Sequence, residues 1–358
     1  MRIALKLANK AKGFTNPNPL VGCVIVKEGK IVGKGFHKRC GLPHAEIEAL
    51  KEAKGKAKGA SLYINLEPCA HYGRTPPCTE AIIKAGIKKV YTAMLDPNPL
   101  NNGKGVRELR KNGIEVNVGM LEEEARRLNE VFIKYITQKI PFVTVKVAQS
   151  LDGKIATHTG ESQWITSEKA RAFAKKLRNE VDAIMVGVNT LIKDNPLLNA
   201  EYKIQETKQY YKIILDSYLT TPLKARVFSP LSRGKVIIAT TRYAPRTRIR
   251  LFQEKAEVLI IRDRQGRVDL RCLMKELAKK EIAHVLIEGG GETIASALEE
   301  DIVDRFFFFI SPKIIAGRNA ITSVEGEGIK RLSQARRLKE VKIKRIGEDI
   351  LISGYLVK

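Results

Sequence analysis

The chain has 358 residues, 44% of them hydrophobic, and its 64 Lys and Arg against 39 Asp and Glu leave a formal net charge of +25. That length points to two domains and that apolar share is ample for two packed cores, which excludes a disordered or fibrous chain. No apolar run is long enough to span a bilayer, the longest, such as Phe306 to Ile310, being of strand length.

Five cysteines without framework spacing exclude a disulfide scaffold and, with no export signal, point to the cytoplasm. The basic excess raises nucleic acid as a partner. Yet Lys and Arg are interleaved with acids along expected helices at Glu168 to Glu180 and Ala335 to Arg345, without an arginine-rich tail or an RNA-binding module. The expectation is no nucleic acid and no membrane, but a basic surface that attracts phosphorylated small molecules.

In chain order, the opening residues have apolar steps broken by Lys and read as an amphipathic helix ending near Gly13, not as a signal peptide. Val21 to Val32 is a hairpin around a Glu28-Gly29 turn. Helices at His44 to Ala53, Thr79 to Ala85 and Val106 to Lys111 then alternate with strands at Ser61 to Leu66, Lys88 to Ala93 and Glu115 to Gly119. A helix from Leu121 to Tyr135 closes this half, and Thr137 to Pro141 is the expected boundary. The second half has strands beginning at Phe142 and at Ala183, Lys212, Lys235, Val258 and His284, with helices at Glu168 to Asn179 and Leu270 to Lys280. These strands are apolar on both faces, the pattern of a sheet covered by helices on two sides.

The motif with the clearest chemistry lies in the first half, where Pro43-His44-Ala45-Glu46 is followed by Glu67-Pro68-Cys69 and, after eight intervening residues, by Cys78. His44, Cys69 and Cys78 make a three-ligand set that leaves one zinc position open for water. Glu46 is left free to carry protons between that water, a ring nitrogen and leaving ammonia. His-x-Glu followed by Pro-Cys and a second Cys is the signature of zinc nucleobase deaminases, in which the second gap is normally two residues. The longer gap ties His71, Arg74 and Thr75 beside the metal, where they could grip a small polar or phosphorylated substrate. A structural zinc site would need a fourth ligand, which only His71 could supply. Cys40 is close enough to His44 in sequence to be weighed as well, while a Cys69–Cys78 disulfide has no framework behind it.

In the second half, VLIEGGGETIASAL runs from a buried strand through Glu288 into three glycines and a helix. Amides at such a helix start can bind a pyrophosphate, but the turn is not a GxGxxG fingerprint, and a dinucleotide-binding Rossmann domain is not the first choice.

Together the two halves resemble the bifunctional deaminase/reductase family of riboflavin biosynthesis. The resemblance rests on NPNPLVGCVIV, GFHKRCGLPHAE, LEPCAHYGRTPPCTEAI and DPNP in the first half. In the second it rests on SLDGKIA, GESQWITS, LRNEVDAIMVGVNTLIKDNP, LDSYLTTPLKARVF and IEGGGETI. It implies an α/β chain of two domains: a cytidine-deaminase-like three-layer α/β/α domain over residues 1–140, and a dihydrofolate-reductase-like mixed-sheet domain over residues 141–358.

The implied reactions are zinc-dependent hydrolysis of the 2-amino group of 2,5-diamino-6-ribosylamino-4(3H)-pyrimidinone 5′-phosphate, then NADPH-dependent reduction of the ribosyl group to ribityl. Carried over by position, His44, Cys69 and Cys78 match the zinc ligands and Glu46 the proton carrier. Ala148, Trp164, Thr190, Asp194, Ser217 and the turn from Gly290 match cofactor contacts, and Ser162, Arg178, Leu198 and Glu288 match substrate contacts. Asp194 is also a candidate proton carrier, and Thr241 and Arg242 are offered to the extra phosphate of NADPH. A homo-oligomer is expected. One position departs: Glu201 stands where the family usually has an Arg, so either Lys203 or a displaced loop holds the substrate there or the reductase is weakened. Taken singly, Trp164 would be read as core, Asp194 as a turn or cap residue and Arg178 as a surface charge. Two rivals remain, an RNA-binding nucleobase deaminase and a zinc-stabilised nucleic-acid-binding protein without catalysis.

Overall fold

The computed structural model describes residues 1–72, 76–201 and 209–357. The chain divides into two compact units, Met1–Ile140 and Pro141–Lys358.

The first unit runs α1 (Arg2–Asn9), β1 (Gly22–Lys27), β2 (Lys30–Phe36), α2 (Ala45–Ala53), β3 (Ser61–Ile64), α3 (Cys78–Lys84), β4 (Lys89–Thr92), α4 (Lys104–Lys111), β5 (Glu115–Val118), α5 (Glu122–Leu128) and α6 (Glu130–Gln138). Its sheet has the order β2-β1-β3-β4-β5, antiparallel from β2 to β3 and parallel from β3 to β5. Alternation along β1 makes the layers. Cys23 and Ile25 face a core shared with Ala45 and Ala49 of α2, Ile82 of α3 and Leu109 of α4, whereas Val24 packs with Ala4 and Leu7 of α1. Helix α2 lies so close to β2 that only glycine fits between them. A β-carbon on Gly35 would stand 2.5 Å from the Ala45 carbonyl oxygen, and one on Gly33 2.2 Å from that of Ala49.

The helix expected from Leu121 to Tyr135 is two helices, broken at Asn129. The Asn129 side chain is buried and serves the backbone of Leu20, accepting from its N–H at 2.8 Å and donating to its carbonyl at 3.0 Å. That pair joins positions far apart in sequence, so no local pattern announces it.

The second unit runs β6 (Phe142–Gln149), α7 (Glu168–Arg178), β7 (Ala183–Gly187), α8 (Val188–Asp194), β8 (Tyr211–Leu215), β9 (Lys235–Thr240), α9 (Arg246–Gln253) and β10 (Glu257–Ile260). A two-stranded ribbon of β11 (Asp263–Arg264) and β12 (Arg267–Val268) follows, then α10 (Leu270–Lys279), β13 (His284–Ile287), α11 (Gly291–Glu299), β14 (Arg305–Ile310), β15 (Leu338–Ile346) and β16 (Asp349–Leu356). Its large sheet has the order β10-β9-β8-β7-β13-β6-β14-β16-β15. It is parallel from β10 to β14 and antiparallel over the last two pairings. Ile184, Ile214, Ile238 and Leu286 pack against Ala170, Leu177 and Phe252 on one face, and Met185, Ile213, Ile237 and Ile287 on the other are equally buried. The sheet is thus covered on both sides.

The helix expected over Ala335 to Arg345 is a strand instead. β15 pairs antiparallel with β16, and its alternating apolar residues are separated by Lys339, Lys342, Lys344 and Arg345, which solubilise an edge strand as they would a helix face. Helix α8 and strand β16 carry no sequence signal that singled them out.

Gly35→Ala is expected to destabilise the first unit by about 1–3 kcal/mol through overpacking, and to lower zinc retention because Ala45 adjoins His44. Urea unfolding and metal content measure this; an unchanged midpoint would contradict the close contact.

Candidate active sites

His44 immediately precedes α2 and Cys78 is the first residue of α3, so two ligands enter from helix N-termini, where the dipole favours an anionic sulfur. Cys69 comes from the loop between β3 and α3, and its Sγ accepts from the Cys78 N–H at 3.3 Å. His44 Nδ1 lies 3.6 Å from Cys69 Sγ and 3.3 Å from Cys78 Sγ. All three ligand atoms are within 4.8 Å of one another, and Cys40 is not part of the group. Zinc bonds of about 2.3 Å to sulfur and about 2.0 Å to nitrogen imply tetrahedral edges of roughly 3.5 Å, so the donor set fits a zinc ion with one position open.

The thiols share their protons unequally. The hydrogen bond from Cys78 pulls Cys69 down to about 4, against burial and with help from His44, while the same bond, burial and Glu46 push Cys78 up. Glu46, on the first turn of α2, is 3% exposed and is not one of the three ligands. Burial, and then the Cys69 sulfur, push its carboxyl up to about 7, so it can take and return a proton near neutral pH. His37 packs edge-on against His44 with ring centroids 5.4 Å apart. Its Nδ1 is 3.1 Å from the Pro43 carbonyl, which can only accept, and burial lowers its pKa against that hydrogen bond.

Sequence reasoning assigned no role to the residues that hold the Cys69 loop. The buried Glu67 accepts from the N–H groups of Asp96, Gly103 and Val106, tying the loop to the start of α4. Asn101, also buried, accepts from the Ala70 N–H at 2.9 Å and donates to Asp96. An acid directly after an apolar strand was the available signal. Burial pushes Asp96 up to about 6, against the hydrogen bonds from Asn98 and Asn101. His71 lies near Asp96 with a buried Nδ1 that has no hydrogen-bond partner among the described residues, while Arg74 and Thr75 lie outside them.

In the second unit the ten residues matched to cofactor and substrate contacts all fall on two adjoining cavities. One, of about 670 Å³, is lined by Ser217 together with Ser162, Thr190, Asp194 and Gly290. The other, of about 610 Å³, is lined by those same four and by Ala148, Trp164, Arg178, Leu198 and Glu288. Asp194 is the last residue of α8, and its Oδ1 accepts from Ser162 Oγ at 3.1 Å. Trp164 is 61% exposed and stacked under Arg171, whose guanidinium carbon is 4.4 Å from the ring centroid, so it is not core. Arg178 is no surface charge either. It grips Glu288 with two hydrogen bonds of 2.7 Å, and Lys146 stands 3.8 Å from the same carboxylate. Burial would raise the Glu288 pKa, but Arg178 and Lys146 overcome it and hold it at about 2.

Lys146 and Lys212 were legible only as lone cations inside apolar strands. Lys212 is fully buried and donates to the Leu197 carbonyl at 2.6 Å, to Asn199 Oδ1 at 3.0 Å and to Ser232 Oγ at 2.5 Å, fixing the segment that bears Leu198. Burial, and then Arg178, bring it down to about 8. Arg242 does not line either cavity. It pairs with Asp263 at 3.1 Å, and the Thr241 hydroxyl donates to the Ser217 carbonyl. Glu201 pairs with Lys175 at 3.0 Å, and Lys203 lies outside the described residues.

The family model for the cytidine and deoxycytidylate deaminase zinc-binding region matches residues 1–94, and that for the RibD C-terminal domain matches residues 141–352. Fold and sites therefore define a bifunctional deaminase and reductase. A riboflavin biosynthesis protein RibD from Aquifex aeolicus is 48% identical over 98% of this chain and 96% of its own length, and one from Escherichia coli 38% identical over 98% and 97%. The solved RibD structure of Acinetobacter baumannii superposes with a TM-score of 0.88 at 36% identity over 99% of this chain and 97% of that one. A Thermotoga maritima structure, described as a diaminohydroxyphosphoribosylaminopyrimidine deaminase/5-amino-6-(5-phosphoribosylamino)uracil reductase, superposes at 0.87 and 37% identity over 100% and 97%. The chain belongs to the RibD family of riboflavin biosynthesis proteins. Among the described residues no helix is long and apolar enough to cross a membrane.

Because Glu288 is more acidic folded than the ordinary carboxylate near 4.3, its ionisation stabilises the fold above about pH 5, and that gain is lost as pH falls toward 2. Glu288→Gln is expected to cost about 3 kcal/mol at pH 7, with the gap to wild type narrowing at pH 3. Urea unfolding at both pH values measures it; a gap that widens on acidification would contradict the ion-pair assignment.

Proposed function

We propose that the unit Met1–Ile140 hydrolyses the 2-amino group of 2,5-diamino-6-ribosylamino-4(3H)-pyrimidinone 5′-phosphate. The unit Pro141–Lys358 then reduces the ribosyl group of the product with NADPH, giving 5-amino-6-ribitylamino-uracil 5′-phosphate. The observation that carries the reading is a buried, non-ligating Glu46 beside a His/Cys/Cys donor set that leaves one position open. A structural zinc site has no use for such a carboxyl, and the alternative of an RNA-binding deaminase finds no support in a second unit matched over residues 141–352 by a RibD C-terminal domain.

His44, Cys69 and Cys78 would hold the zinc, which when bound makes water acidic enough to act as a nucleophile near neutral pH. Glu46 takes the proton as oxygen adds to C2 of the pyrimidine and passes it to the ring nitrogen. A second transfer to the amino group lets the C2–N bond break and ammonia leave. His71 lies near Asp96, and its Nδ1, unpartnered among the described residues, could meet a polar substrate group.

Ser217, Thr190 and the turn from Gly290 would hold NADPH, which when bound would supply the hydride for C1′ of the ribosyl group. As the C1′–O4′ bond breaks, O4′ needs a proton, and Asp194 would manage it, a role supported by its hydrogen bond from Ser162 and its position on the wall common to both cavities. Ala148 and Trp164 would border the cofactor, and Arg178, Leu198 and Glu288 the sugar, a reading supported by their all lining one cavity. A cytoplasmic homo-oligomer that engages no nucleic acid completes the reading. Val341, Ile343 and Ile350 on the two outer strands are 50%, 72% and 42% exposed, a surface suited to a second copy.

Glu46→Gln is expected to keep zinc and lose deamination by at least about 100-fold while reducing the deaminated pyrimidine normally. Metal analysis, ammonia release and NADPH oxidation measure this; loss of zinc with activity would make Glu46 a ligand. A Met1–Ile140 fragment is expected to fold, bind zinc and release ammonia without the second unit, and an inactive fragment rescued by adding residues 141–358 would overturn the division of labour.

A further inference from the structure

The reading of the second unit as a reductase for a phosphorylated ribosyl substrate requires a cation for a phosphate dianion. Five cationic side chains line the cavity that holds Arg178 and Glu288. Two of them, Arg178 and Lys146, share the Glu288 carboxylate. Lys175 is neutralised by Glu201 at 3.0 Å. Arg171 keeps its charge but is fixed, donating to the Thr166 carbonyl at 2.7 Å and lying flat on Trp164. Arg226 is different. Its guanidinium has neither an ion pair nor a hydrogen bond among the described residues, although it lines the cavity.

Its backbone, by contrast, is pinned to the substrate wall. The Arg226 N–H donates to Asn195 Oδ1 at 2.8 Å, at the start of the short helical turn Arg226–Phe228. Asn195 directly follows Asp194, and Pro196 and Leu198 line the same cavity, so Arg226 is anchored to the segment that forms this wall. That segment is itself rigid: Lys212 holds Leu197 and Asn199 from below, and Arg178 Nη1 donates to the Asn199 carbonyl at 3.1 Å. An uncommitted guanidinium on a fixed backbone beside this cavity has the planar fork that phosphate oxygens accept from in pairs.

We propose that Arg226 binds the 5′-phosphate of the reductase substrate and so sets its preference for phosphorylated over unphosphorylated sugar. The ion pair of Glu201 with Lys175 fits this assignment, because it removes the neighbouring cation from competition for the anion.

The test uses the full-length protein, NADPH, and the deaminated pyrimidine with and without its 5′-phosphate. Arg226→Ala is expected to raise KM for the phosphorylated compound by about 10- to 100-fold, the equivalent of one or two charge-assisted hydrogen bonds, with little change in kcat. The same variant should leave kcat/KM for the unphosphorylated compound within about twofold of wild type, and Arg226→Lys should recover part of the loss. Ammonia release from the diamino substrate serves as the folding control. Equal losses on both compounds, or a phosphate-selective loss in Arg171→Ala that Arg226→Ala does not show, would overturn the assignment. If wild type oxidises no NADPH with either compound, the reductase reading itself fails, which is a separate result.

Discussion

A carboxylate can be buried only where donors converge on it, and both units are arranged around that requirement. In the first, Glu67 follows β3 closely and draws three backbone N–H groups toward itself, which sets the path of the loop that carries Cys69. In the second, Glu288 follows β13 directly and draws in Arg178 from α7 and Lys146 from β6. Each acid stands at the carboxyl end of a parallel strand, the edge where open α/β sheets collect their ligands. Removing either would leave donors or charges stranded in the interior, so the geometry of each site rests on its carboxylate.

Glu46 is the contrasting case. It is as buried as Glu67, yet it lacks matching cations and faces sulfur, so its proton is held until near neutral pH. Three glutamates of one chemical type thus take three roles set by surroundings: Glu67 braces a loop, Glu288 anchors two cations, and Glu46 remains free to exchange a proton. The helix N-termini that deliver His44 and Cys78 belong to the same electrostatic scheme, since they favour the anionic sulfur that the metal requires.

The candidate zinc ligands were legible because they are local: a histidine two residues before an acid, and two cysteines with eight residues between them, the second opening α3. The alternation of helices and strands was legible for the same reason, in the apolar periods of each segment. What joined distant positions was not. The break at Asn129 answers to Leu20, the bracing of Cys69 to Asn101, and the wall around Leu198 to Lys212, each across a fold that no window of sequence contains. The residues matched to the reductase by resemblance run from Ala148 to Gly290 and line two adjoining cavities in a sheet where β13 inserts between β7 and β6, a grouping that no pattern within one segment announces. The strand β15 was read as a helix because lysines on an edge strand and on a solvated helix satisfy the same need for water.

The central claim is that one chain performs two successive reactions, of which only the first requires zinc. The most direct measurement follows ammonia and NADPH together, in zinc-replete and chelator-treated protein, starting from the diamino substrate or from its deaminated product. The account requires one ammonia per NADPH from the diamino substrate in replete protein. After chelation it requires neither ammonia nor NADPH consumption from that substrate, with undiminished reduction of the deaminated product. Reduction of the diamino compound by the zinc-depleted protein would contradict it.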